Sequence, residues 1–340
     1  MTETSDLPAF GAPDATGTQH RLHRGSAEAV VVGLAGALRR YRVGGVDLTE
    51  PYGQDVVPPA ANGIQMSPWP NRVAGARWIL HGVEQRLDVT EPARGHASHG
   101  LLRNTHFVTE TFSAHAVTLR GEIHPQHGWP FRLTHRVTEE LAFMQPAALD
   151  VVPPVRISST DGGLTVTAEV QNHTDATVPV AVGSHPFLRI GDVPTAELSL
   201  RVPADAWIRT GEDLIPVETL PVDGTDLDFR RGRAVGEDAL DVCLTGLTPD
   251  ADGRHRQTLL AADGRAVTLW TDHAFAYTHV FVTDRLPGRD TALAVEPLTA
   301  PADALNSGEG LHRLAPHARW SVQWGLTPHV PDHPHEEDRA

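Results

Sequence analysis

The feature that most restricts this chain is a period of two. In residues 107–112, 116–123 and 131–137 apolar and polar side chains alternate, and the pattern returns in 164–170, 266–270 and 320–324. Successive side chains of a strand point to opposite faces, so each run lays one face on a core and the other in water, as antiparallel sheets require. The 30 glycines and 27 prolines are spread along the chain and cut it into many short elements. Helical periodicity is scarce, the best short candidate being residues 301–307, and no strand–helix alternation supports a Rossmann or TIM-barrel fold. These features predict an all-β fold, a large antiparallel β-sandwich forming one domain over residues 19–327. The polar stretches 1–18 and 328–340, the second rich in Pro, His and acid, are expected to be disordered tails.

Composition narrows the function. With 28 cationic and 43 acidic side chains the formal charge is −15, which argues against nucleic-acid binding because phosphate recognition needs a basic face. Every cationic residue is an arginine, so a P-loop lysine, a Schiff-base lysine and a Ser–Lys dyad are excluded. The single cysteine, Cys243, cannot form an intrachain disulfide and reads as a buried small hydrophobe. The longest apolar run, residues 29–38, is about half of what a bilayer span needs. The acidic N-terminus has neither the basic region nor the apolar stretch of a signal peptide, so a cytoplasmic protein without membrane attachment is expected.

Among 20 histidines only local context separates candidates. Four clusters qualify: Asn71-Arg72 with Gly75-Ala76-Arg77, then His96 to Asn104, then His185-Pro186-Phe187, then Glu296-Pro297. His185 follows a strand-like run and precedes a proline, so the chain leaves the ladder there and a titratable ring reaches a strand end. Glu296 closes the apolar run 292–295 and is expected at the edge of a core strand, where partial burial moves a carboxyl group toward the range of a working base.

These motifs, in this order, resemble the aldose 1-epimerase (galactose mutarotase-like) family, whose members fold as a large β-sandwich. Residues 301–311, with Asn306 and Gly308, resemble the family's C-terminal segment before a last strand, here 320–326. The resemblance runs from about residue 20 to 327. It implies an isomerase in which Glu296 is the general base and His185 the general acid. It further implies that Arg72, His99, Asp241 and Asn71 bind or orient a monosaccharide, with no metal or cofactor. His96 competes with His99 for its role. Leu101-Leu102 after His99-Gly100 departs from the galactose-type pattern and points to a divergent bacterial subgroup.

The implied chemistry needs one base and one acid: the anomeric hydroxyl loses a proton, the ring oxygen gains one, the ring opens, the aldehyde turns and the ring closes. A carboxylate must keep His185 charged, and Asp241 is the candidate. Trp69, Trp129 and Phe187 are candidates for stacking on the sugar. A free hexose, galactose or glucose, is the leading substrate; a phosphorylated or sulfonated sugar is the alternative, since the arginines could supply an anion pocket. A non-catalytic carbohydrate-binding sandwich and a metal-dependent β-fold enzyme using His96, His99, His124 and His127 are the other readings. The assembly expected is a monomer or homodimer.

Overall fold

In the computed structural model, which describes residues 14–142, 148–149, 155–156 and 163–330, the alternating runs become strands. Ala116–Ile123 and Gly163–Asn172 bury every second side chain over almost their whole length, as their sequences require. Leu133–Ala142 lies between them, in antiparallel register with both. The final strand, Arg319–His329, pairs with Gly163–Asn172 on one side and Ala266–Thr271 on the other.

Among the described residues these strands belong to a nine-stranded antiparallel sheet. A second sheet of eight strands has Leu240–Leu247, Tyr277–Thr283 and Ala292–Leu298 at its centre, in that order. A four-stranded sheet from Gln19–Arg24 to Val46–Asp47 completes the layers. One apolar cluster joins all three, with Val31 from the small sheet, Val117, Val166 and Leu269 from the long one, and Val242, Val280 and Val295 from the third. This is the antiparallel sandwich expected from the alternation. The lone α-helix among the described residues is the four-residue Ala304–Ser307. No helix there is long and apolar enough to cross a membrane.

The packed chain extends further at both ends than the polarity of those segments suggests. Thr16 is fully buried and its Oγ1 donates to the carbonyl of Gln54, while residues 1–13 lie outside the described residues. At the other end Pro328 and His329 remain in register with Val267 and Ala266, and His329 Nε2 lies 2.9 Å from Thr268 Oγ1. Ladder pairing and burial hold these polar residues, which composition alone reads as tail; residues 331–340 lie outside the described residues. Cys243 is buried among Ile208, Tyr277 and Leu298.

Candidate active site

The site forms where the central strands of the second sheet meet the loops carrying the other motifs. Ala292–Leu298 is buried along its full length, and Glu296 lies inside it, 2% exposed, rather than at its edge. Cross-strand pairing sets His279 of Tyr277–Thr283 directly opposite Glu296, so the two side chains share a face. Pairing of the next strand sets Cys243 opposite His279 and carries Asp241 to the same end of the sheet.

His185 reaches this place because the chain is pinned on both sides of a proline. Gly183–Ser184 pairs with Gln65–Met66 and, through Gly183, with Leu298. Phe187–Leu188 pairs with Ala294 and Leu293, while Pro186, which has no N–H, accepts at its carbonyl from Val295 N. The step off the ladder at His185-Pro186 presents the imidazole to Glu296, with Nε2 3.3 Å from Oε1, and its ring stacks on Phe187 at 5.3 Å between centroids. The other carboxylate oxygen, Oε2, has no hydrogen-bond partner among the described residues.

Arg72 enters from Arg72–Val73. Its Nε donates to Glu91 Oε2 at 2.9 Å, its Nη2 to Asp241 Oδ2 at 3.3 Å, and its Nη1 to Asn71 Oδ1 at 3.3 Å. Asn71 adopts φ 53°, and the same amide oxygen also accepts from the Arg72 N–H, a local bond that suits Asn in this left-handed conformation. The short helix supports the arginine from behind: Asp303 N donates to Arg72 O, Asp303 Oδ1 accepts from Ala74 N, and Asn306 Nδ2 donates to Asp303 Oδ1 and Arg77 O. The C-terminal Asn motif is thus a brace for the arginine loop.

His99 also sits at positive φ, and Gly100 after it is required sterically: a Cβ there would lie 2.1 Å from the carbonyl oxygen of Ser67. His99 Nδ1 lies 2.8 Å from Met66 Sδ, and its ring meets that of His185 edge-on at 5.4 Å. His96 is placed elsewhere, its ring nitrogens engaged by Gly75 N and Asp213 O. Of the two histidines, His99 lines the cavity.

Asp241 is not the partner of His185. Its Oδ1 lies 2.9 Å from His279 Nε2, and Glu296 itself stands against His185. The reason is sheet order: Asp241 shares a sheet neighbour with Glu296, and His279 on the intervening strand stands opposite Glu296 and bonds to Asp241. Burial works against a charged His279 ring, but Glu296 and the bond to Asp241 outweigh it and hold that histidine well above its ordinary pKa. Burial likewise opposes ionisation of Asp241, yet the bond and charge of His279 together with Arg72 hold its carboxyl well below the usual range. For His185 burial dominates and lowers the pKa, with Glu296 opposing only in part. His99 falls well below its ordinary value through burial first, with His185 and Arg103 adding to it.

Glu296, His185, His99, Arg72, Asn71 and Asp241 therefore line one cavity of about 370 Å³. His279, Glu91 and Phe281 line it too and were not among the sequence candidates; Arg103, which lines it as well, stood in the His96 to Asn104 cluster without a role. Trp69 and Trp129 are buried in a cluster with Trp78 and Phe131, away from the cavity lining, and Phe187 is covered by His185. His124 and His127 are exposed and do not join His96 and His99. Chemically, the cavity offers a buried carboxylate in contact with an imidazole, beside an Arg–Asp–His chain suited to neighbouring hydroxyl groups.

The aldose 1-epimerase family profile matches residues 21–327. The uncharacterized protein YihR of Escherichia coli (strain K12) is 26% identical over 289 residues, which is 84% of this chain and 85% of YihR. Among solved structures, the GalM/aldose epimerase homologue from C. elegans superposes with a TM-score of 0.76 at 16% identity, covering 92% of this chain and 99% of that one. Galactose 1-epimerase from Lactobacillus acidophilus NCFM superposes with a TM-score of 0.68 at 14% identity, covering 90% and 92%. At such identities the structural likeness establishes the fold, and the family rests on the profile, which spans nearly all of the described chain. The protein belongs to the aldose 1-epimerase family of isomerases.

Proposed function

We propose that the protein interconverts the α and β anomers of a hexose of glucose or galactose configuration, with Glu296 as general base and His185 as general acid. The observation that carries this reading is the contact of Glu296 with His185, both nearly closed to solvent and both lining a cavity of sugar-binding size, with one carboxylate oxygen unpartnered among the described residues. Glu296 takes the proton of the anomeric hydroxyl while His185 gives one to the ring oxygen. The C1–O5 bond breaks, C1 becomes an aldehyde, and rotation about C1–C2 exposes its other face. On closure the ring hydroxyl attacks C1, His185 recovers its proton and Glu296 returns the other, so no atom is gained or lost. No step calls on a metal or a redox cofactor.

Arg72 and Asp241, fixed by each other and by Glu91 and His279, orient hydroxyl groups beside the reacting carbon, with Asn71 and His99 on the same wall. Polarimetry of freshly dissolved α-glucose and α-galactose tests the proposal. Accelerated drift to the equilibrium rotation is expected; drift at the uncatalysed rate with either sugar and with charged hexoses would overturn it.

A further inference from the structure

A neutral imidazole carries one N–H and one lone pair, and the neighbour of one ring nitrogen decides which nitrogen keeps the proton. For His99 that neighbour is a sulfur. Its Nδ1 lies 2.8 Å from Sδ of Met66, a fully buried residue of the short strand Gln65–Met66. A thioether has lone pairs and no hydrogen to give, so the proton of this contact belongs to Nδ1. Both partners are held in place. Met66 packs with Val32, Ile64 and Leu298, and its strand partner is Gly183, where a Cβ would come within 3.0 Å of the Met66 methyl group. His99 donates its backbone N–H to the carbonyl of Asn71 and sets its ring edge-on to that of His185. Burial first, then the nearby His185, Arg103 and Arg72, keep the ring uncharged, so a single proton is at issue.

The other nitrogen, Nε2, has no partner among the described residues, and His99 lines the cavity, so a lone pair is offered there. The hydrogen-bonding character of the wall gives that lone pair a use. Arg72 and Arg103 line the same cavity and can only donate. A sugar hydroxyl that accepts from either still has its own hydrogen to place. Asp241 and Glu91 are already engaged by Arg72, and Glu296 by His185, whereas Nε2 of His99 carries no such engagement. We infer that Met66 is a positioning residue that fixes His99 as the Nδ1–H tautomer, so that Nε2 accepts the hydrogen of a sugar hydroxyl. The tautomer follows from the contact alone; the hydroxyl partner rests on the mutarotase reading above.

Long-range proton–nitrogen correlation spectra of protein labelled at its histidine nitrogens read the tautomer directly, with the His99 signals identified by their loss in His99→Gln. Near neutral pH wild type should show a protonated Nδ1 and a bare Nε2. In Met66→Leu, a substitution of nearly equal volume, an Nδ1–H would face carbon. A buried donor without a partner is costly, so the proton should move to Nε2, where water in the cavity accepts it. Polarimetric kcat/KM for glucose or galactose should then fall about 3- to 10-fold, the worth of one neutral hydrogen bond. A bare Nδ1 or a doubly protonated ring in wild type would overturn the proposal, and this reading needs no variant. A variant that keeps its Nδ1 proton would overturn it too. A proton that moves while kcat/KM stays the same would refute the hydroxyl contact. If no sugar is turned over, the mutarotase reading fails, and the two spectra still decide the role of Met66.

Discussion

His279→Gln isolates the electrostatics of the site. The glutamine keeps a polar tip of similar reach for Asp241 but removes the positive charge that the strand register places opposite Glu296. Directly opposed residues have Cβ atoms about 5 Å apart. At that separation, with an effective dielectric constant of about 20, the charge acts on Glu296 by about 3 kcal/mol. Asp241 is bonded to the same ring and cancels part of this, so a net effect of about 1.4 kcal/mol, or about one pH unit, is the working figure. The acid limb of kcat/KM, where the base becomes protonated, should therefore move about one unit to higher pH in the variant. Turnover on the plateau should fall less than about tenfold, because in this account His279 positions and charges the site without donating the reacting proton. Polarimetric kcat/KM between pH 4 and 9 on one preparation gives both quantities. An unmoved acid limb would refute the electrostatic argument. A plateau loss on the general acid–base scale of about 10² or more would transfer the acid role from His185 to His279.

Three other outcomes are expected. His185→Asn should lower plateau turnover by about 10²–10⁴; because burial lowers this histidine's pKa, the wild-type alkaline limb, where the acid loses its proton, should fall below the ordinary histidine value of 6.5. Glu139, fully buried with neither carboxyl oxygen bonded among the described residues, has its pKa pushed up by burial to about 8 from an ordinary 4.5. The native state then holds a proton that the unfolded chain releases, so wild-type stability declines as pH rises from 4.5 to 8. By pH 7 the loss is about 3 kcal/mol, and with an unfolding entropy of about 0.7 kcal/mol/K for a chain of this length Glu139→Gln should melt about 4 °C higher at pH 7, a gap that closes near pH 4; an equal gap at both pH values would contradict this. Gly100→Ala forces a Cβ into the Ser67 carbonyl at positive φ and should cost about 2–4 kcal/mol with a matching loss of activity, read by melting and polarimetry together; a variant as stable as wild type would contradict the steric argument.

The sandwich was legible because alternation is a local property: the runs 116–123 and 164–170 are strands in the structure at nearly the boundaries their pattern indicates. Glu296 and His185 were legible as motifs, and the break in the ladder at His185-Pro186 follows from proline's missing N–H. Partner identity was not legible. Asp241 was expected to charge His185, but strand order interposes His279, and no local pattern encodes which strand becomes the neighbour. His279 did carry a weak signal, a titratable residue in the middle of the strand 277–283, on the same parity as Tyr277 and Phe281. Glu91, in Thr90-Glu91-Pro92, reads only as a turn. Trp69 and Trp129 resembled stacking platforms by residue type alone, and a sandwich of this size uses them instead to fill its core.

The central claim, proton transfer through Glu296, is tested most directly by magnetisation exchange between the α and β anomeric protons of a hexose at equilibrium, for wild type and Glu296→Gln at matched concentration and equal melting temperature. Exchange needs only ring opening and closure, so it reads the proposed step without coupling enzymes. The account predicts fast exchange with wild type and a loss of about 10²–10⁴ with the amide, which is nearly isosteric but cannot take the anomeric proton. Wild-type exchange in a folded Glu296→Gln variant would contradict it.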